Sequence, residues 1–324
     1  MRLVPALVIS YFTAVTGGPK EPAAAPLASG MTRPAIVEID QALGFGLAAK
    51  APEYDAALDT PRRHVTSNGR VIALPNGCRT VSHPYDLLIH FHGAPTAVEP
   101  AFERAEIEGA LAILNLGIGS GKYDAEFQFG GSFDGLLTRL NVVIHDLCPT
   151  AVTAPRRIAL SGWSAGYGAV FRILDRPKDA ARIDAVLLAD GLHAGIEAGE
   201  PGERRVGVEQ MAPFVGFADE AVAGHKLFAL THSAIGTTYA STTETADYLL
   251  AQEGVERTTP TARSFRPGMT LRSRADSGGF HVLGFGGGNE AAHCDHLHAF
   301  GETLLPYLKE RWSVPPPGSF SSGS

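Results

Sequence analysis

Gly162, Ser164 and Gly166 stand at the spacing G-x-S-x-G inside the stretch RIALSGWSAGYGAVFRIL, Arg157 to Leu174. A serine hydroxyl is a weak nucleophile. At this spacing its chemistry would be attack on an acyl carbon, which needs a histidine base and an acid that orients that base. Both residue types are present. Histidines recur in HFHG (His90, His92) and in AHCDHLH (His293, His296, His298), and carboxylates occur at Asp190, Glu244, Asp247 and Asp276.

The elements around the motif must place the serine. Ile158, Ala159 and Leu160 read as a short strand, and Ala169, Val170, Ile173 and Leu174 recur at helical spacing. Ser164 is therefore expected at the apex of a sharp strand-to-helix turn, where side chains at 162 and 166 would crowd the backbone. The N–H of Ala165, at the helix start, would face a developing oxyanion.

The rest of the chain alternates in the same way. RHVTSNGRVIAL reads as a hairpin around Asn68-Gly69. Leu87 to Ile89 is an apolar run ending in His90, Phe91, His92 and Gly93, and Ala110 to Gly121 is another that ends in glycines. Between them PAFERAEIEGA suits a short helix. Ser132 to Leu147 carries a helical stripe that Ser132 can cap. Ala185 to Ala189 and Lys226 to Leu230 are strand runs ending in Asp190-Gly191 and in Thr231, His232 and Ser233. Leu192 to Gly224, between those runs, is a candidate lid over the sheet edge. Thr242 to Ala251 reads as helix and Phe280 to Phe285 as the last strand. Asp295 can cap a closing helix with Leu297, Phe300, Leu304, Leu308 and Trp312, bent at Pro306.

Strands apolar on both faces belong to parallel sheets covered by helices. The fold class is therefore α/β: a mostly parallel, doubly wound sheet with helices on both faces, binding its ligand at the carboxyl ends of the strands. A length of 324 residues, 44% of them hydrophobic and 19% charged, suits one domain over 31–313, with 192–224 as its lid. A net charge of -7 leaves no basic footprint for nucleic acid, and no apolar run spans a bilayer once the N-terminus is set aside. Residues 1–30 read as a signal peptide and flexible linker, which implies a periplasmic or secreted protein, and 314–324 as a disordered tail. Cys78, Cys148 and Cys294 allow one disulfide at most. No phosphate-binding G-x-G-x-x-G or Walker sequence occurs, so no cofactor is expected.

Read along the chain, the strand ends give HG, then serine, then acid, then histidine. In that order, and in the segments HFHG, GWSAG and AHCDHLH, the sequence from roughly Arg62 to Trp312 resembles the α/β-hydrolase superfamily, specifically its serine esterase and lipase branch. The resemblance implies cleavage of a small-molecule or polymeric carboxylic ester through an acyl-enzyme on Ser164. It places the base after the last strand, at His293, with His296 as the alternative and His298 behind them. The usual position of the acid, after the strand ending in Thr231, His232 and Ser233, holds no carboxylate. Asp190, one strand earlier, occupies an alternative position, with Asp247, Glu244 and Asp276 as rivals. Oxyanion N–H groups fall to Ala165 and to Gly93 or Ala94, and His92, Trp163, His193 and His232 to pocket lining or support.

Three other readings stand beside this one. An amidase or peptidase would use the same triad. A metal-dependent hydrolase would use the H-x-H of His90 and His92 or the cluster His293, Cys294, Asp295, His296 and His298, although that H-x-H lacks a following acidic partner. A binding protein would keep the fold without the chemistry.

Overall fold

The computed structural model describes residues 35–36, 58–152, 154–197 and 203–314. The chain divides into Met1–Arg33 and Pro34–Ser324, and every described residue belongs to the second. The signal peptide and linker expected over 1–30, and all but the first residue of the tail expected over 314–324, lie outside the described residues.

Strands β1 (Ala35–Ile36), β2 (Arg62–Val65), β3 (Val71–Leu74), β4 (Asp86–Phe91) and β5 (Ala110–Leu114) precede β6 (Arg157–Trp163), which leads to Ser164. Then come β7 (Ile183–Ala189), β8 (Ile196–Glu197), β9 (Arg205–Val206), β10 (Leu227–His232), β11 (Ser264–Arg266), β12 (Met269–Ser277) and β13 (Phe280–Phe285). Apart from the small pair β8-β9, they form one sheet in the order β1-β2-β3-β5-β4-β6-β7-β10-β13-β12-β11. The six strands from β5 to β13 in that order run parallel, and antiparallel pairs flank them on both sides. From β4 the chain goes first to β5 on one side and then to β6 on the other, so the order reverses at β4. A crevice opens at the carboxyl ends where that happens.

Alternation along the strands divides the core in two, because successive side chains point to opposite faces. Leu87, Ile89 and Phe91 of β4 pack on one face, against α3 (Ser132–Leu147), α4 (Tyr167–Leu174) and α6 (Val208–Val222). Leu88 packs on the other with Val98 and Phe102 of α1 (Pro95–Arg104) and with Leu305, Leu308 and Trp312 of α10 (Leu305–Ser313). Between these lie α2 (Ser120–Glu126), α5 (Pro177–Ala180), α7 (Thr242–Glu253), α8 (Glu290–His298) and α9 (Phe300–Thr303). Cys78 and Cys148, both buried, form a disulfide.

Several sequence expectations change in detail. Ser132 begins α3 and the residue before it, Gly131, makes no side-chain cap. Within the segment read as a lid, 208–222 is α6, which buries Met211, Phe214, Phe217, Ala218 and Ala221 against the sheet. The loop carrying β8 and β9 packs Ile196 and Val206 against the same core, and 198–202 lie outside the described residues. Strand β12, antiparallel between β13 and the short edge strand β11, carries no strand signal in the sequence, because MTLRSRADS is half polar, as a strand with one solvated face can be. The closing helix is not bent at Pro306 but broken into α8, α9 and α10, with Pro306 in the first turn of α10, where a missing N–H is harmless.

Candidate active site

β6 ends at Trp163, and Ser164 follows with φ 49°, in the left-handed region. A 3₁₀ turn over Ser164–Gly166 leads directly into α4. A Cβ on Gly166 would lie 2.1 Å from the carbonyl oxygen of Phe91, and one on Gly162 would lie 3.1 Å from the Gly166 carbonyl carbon. The two glycines are thus required by close approach of β4 and of the turn itself. A non-glycine residue at positive φ costs on the order of 1–3 kcal/mol, so the surrounding packing must hold it. His92 (φ 66°), after β4, and Asp190 (φ 43°), after β7, share that backbone state. Three strand ends therefore carry strained polar residues on one edge of the sheet.

Asp190 is 1% exposed and fully bonded. Its Oδ2 accepts the Nδ1–H of His293 at 2.7 Å, and its Oδ1 accepts the Ser233 N–H at 2.8 Å and the Thr242 hydroxyl at 2.6 Å. Its own N–H donates to Thr231. Burial alone would raise the Asp190 pKa; the His293 and Thr242 hydrogen bonds and the nearby His296 and His293 charges outweigh it and hold the carboxyl well below its usual range. Because Nδ1 faces a carboxylate, it carries the proton, which leaves Nε2 as the lone-pair nitrogen. Nε2 has no hydrogen bond among the described residues.

His293 lies within helix α8. Asn289 caps α8 by accepting the Ala292 N–H at 2.9 Å, so the helix begins at Glu290 and His293 is its fourth residue. Asp295, expected to be the cap, lies inside the helix. The short polar cap after GGG is the signal that locates this start.

The other histidines go elsewhere. His296 is fully buried with Nδ1 2.7 Å from the Thr231 hydroxyl, and His298 is exposed. His232 lies between Thr243 and Arg257, at 2.9 and 3.0 Å. His193 donates from Nδ1 to the Ala240 carbonyl at 3.3 Å and packs against Tyr167 and Tyr239. Burial pushes His296 and His232 down to about 4, against the pull of Asp190. The rival acids are bound away from His293: Asp247 to Arg257, Glu244 to Arg204 and within the cap of α7, and Asp276 to Arg274 and His281.

At the end of β4, His90 is fully buried and bonded to Ser161, whereas His92 reaches the Tyr123 hydroxyl at 2.9 Å. The two rings thus serve different neighbours, and among the described residues no three His, Cys, Asp or Glu side chains converge to hold a metal ion. Gly93 has φ 123°, and Ala94 is the residue before α1. The His92 ring stacks on Trp163 at 5.0 Å, and Trp163 lies 4.8 Å from the His293 ring. Tyr123, Thr231 and Thr242, which support this edge, carry no motif by which the sequence could have singled them out.

No family model matches the sequence, and no curated protein matches it. Among solved structures it is similar to Est1E from Butyrivibrio proteoclasticus, at 11% identity over 78% of this chain and 99% of that one, with a TM-score of 0.41. An α/β hydrolase fold protein of unknown function matches at 11% identity over 81% and 98%, TM-score 0.40. A loop variant of the haloalkane dehalogenase DbeA from Bradyrhizobium elkanii matches at 8% over 78% and 97%, TM-score 0.43. Among the described residues no helix is long and apolar enough to cross a membrane. By its own strand order and by the turn that follows β6, the chain has the α/β-hydrolase fold.

Proposed function

We propose that this protein is a serine hydrolase that cleaves carboxylic esters. The observation that carries the reading is the Asp190–His293 hydrogen bond, 2.7 Å between residues 103 apart, beside a serine on a left-handed turn. In the reaction His293 Nε2 takes the Ser164 proton as Oγ attacks the acyl carbon. Asp190 stabilises the imidazolium that results. The oxyanion faces the N–H of Ala165 and that of Gly93 or Ala94. Collapse expels the alcohol with the proton from His293, and a water activated by the same nitrogen releases the acid. Each step uses groups of this chain and requires no cofactor.

Ser164→Ala should abolish labelling by a fluorophosphonate and lower kcat on a short acyl ester by roughly a millionfold. Labelling that survives the substitution removes Ser164 from the mechanism. Matched ester and amide substrates test the class, since an amide must have a poorer leaving group protonated. Faster amide turnover would make the protein an amidase with the same residues. Export, the expected destination of the chain, is supported by the buried Cys78–Cys148 disulfide, a bond that persists in oxidising compartments. Cell fractionation checks it, and cytoplasmic recovery with free thiols would refute it.

A further inference from the structure

Trp163 makes two contacts with His293 that the triad itself does not explain. Its indole N–H donates to the His293 backbone carbonyl at 3.0 Å, across 130 residues of sequence, and its ring lies 4.8 Å from the imidazole, tilted by 30°. The same indole stacks on His92 at 5.0 Å with an interplanar angle of 6°. His92 is in turn tied by Nδ1 to the Tyr123 hydroxyl, which also accepts the Leu116 N–H at 2.9 Å. Trp163 is half-buried and is the last residue of β6, immediately before Ser164.

Resting on the serine-hydrolase reading above, we propose that Trp163 is a positioning residue that clamps the helix carrying the base to the strand carrying the nucleophile. Ser164 and His293 belong to different elements, β6 with its turn and α8, so their spacing would otherwise depend on packing relayed through the sheet. The indole shortens that relay to a single side chain. It bonds the backbone of the base, and its covalent neighbour is the nucleophile. A carbonyl oxygen has two lone pairs, so this bond adds to the one a helix makes for itself. The ring contact then limits rotation of the imidazole about its own side-chain bonds, while Asp190 holds Nδ1. Orientation of reacting groups is sensitive to displacements well under 1 Å, which is the scale such a clamp controls.

The test compares Trp163→Phe, which keeps a ring face and loses the donor, with Trp163→Leu, which loses both, and with Ser164→Ala. Expected are a roughly tenfold fall in kcat for Trp163→Phe and a further fall of similar size for Trp163→Leu, with KM within about twofold of wild type. Amide hydrogen exchange over 290–298 should accelerate in the same order, and in Ser164→Ala it should match wild type. Partial retention of kcat by phenylalanine is the rescue that a role in core packing alone would not show in the exchange of α8. Unchanged kcat in Trp163→Leu beside an inactive Ser164→Ala overturns the clamp and leaves the serine-hydrolase reading standing. A raised KM with unchanged kcat also overturns it, since Trp163 would then contact substrate. Full activity in Ser164→Ala overturns the reading of the site and the positioning role with it.

Discussion

Two buried aspartates stand at opposite ends of the parallel strands, and their partners differ in kind. Asp86 opens β4 and accepts paired hydrogen bonds from both Arg156 and Arg157, at 2.6 to 3.0 Å. Arg157 spends its remaining donors on the carbonyls of Arg311, Trp312 and Val314. Asp190, after β7, has one ring nitrogen, one hydroxyl and one backbone N–H. Arginine is charged at every working pH and histidine is not. The first aspartate is therefore part of a closed, permanent ion cluster, while the second holds a partner that can gain and lose a proton. A cavity of about 560 Å³ opens beside Asp86. Among its charged lining residues, Arg79 pairs with Asp59, Lys309 with Glu106 and Arg156 with Asp86. The cavity thus opens at the end whose aspartate is held by arginines rather than by a histidine.

Substitution should separate the two ends. Asp190→Asn should lower kcat/KM on a short ester by about 10,000-fold, because the amide favours the wrong tautomer of His293 while the fold persists. Asp86→Asn should instead lower unfolding free energy by about 3–5 kcal/mol, the cost of leaving the buried Arg157 guanidinium without its anion, with kcat/KM of the folded fraction within a few fold. Urea titrations and initial rates on both variants decide it. Equal rate losses in the two would erase the distinction.

Acidity should act on the same side. Burial, more than any other influence, pushes His90 down to about 3 and His296 to about 4, and each leaves Nε2 buried without a partner among the described residues. A histidine whose folded pKa lies below its unfolded value of about 6.5 favours folding when neutral. Its contribution is complete above about pH 6.5 and is lost as pH falls toward the folded value. Each such histidine removes up to about 1.4 kcal/mol per pH unit in that window. Unfolding free energy measured from pH 6.5 to 4.5 should fall less steeply in His296→Leu than in wild type. A His296→Leu curve as steep as wild type would show that this histidine is not held neutral by burial.

Much of the fold was legible because the signals are local. The runs Leu87 to Ile89, Ile158 to Leu160 and Ala185 to Ala189 are apolar on both faces, and that pattern exists only where helices cover both sides. The elbow was legible for the same reason, since its glycines answer to contacts within one turn and one neighbouring strand. Asp190 could be placed by chain order, and it does meet His293. What escaped depends on longer range. Helix α8 has apolar and polar residues scattered around its axis, so its start had to be read from Asn289 alone, and the polar run AHCDHLH drew the cap to Asp295. Helix α6 begins near the Gly- and Glu-rich loop and contains Pro213, features of a surface segment. Its stripe of Met211, Phe214, Phe217 and Ala221 nevertheless lies against the sheet.

The smallest effect concerns the far end of the ring stack. Tyr123 is fully buried, with its hydroxyl among His92 Nδ1, the Leu116 N–H, Asn115 Oδ1 and the Gly117 carbonyl, and burial pushes its pKa up to about 12, so it stays protonated. Tyr123→Phe keeps the ring and removes the hydroxyl, leaving the Leu116 N–H and His92 Nδ1 without that partner. An unsatisfied buried group costs about 1–3 kcal/mol, and the loop after β5 should bear it. His92 would be freed to turn on the Trp163 face, but the Trp163 bond to the His293 carbonyl and the Asp190 bond to its ring would remain. Stability should therefore fall by about 1–2 kcal/mol while kcat falls less than in Trp163→Phe. A larger loss of kcat in Tyr123→Phe than in Trp163→Phe would mean that His92, and not the indole, sets the geometry around Ser164.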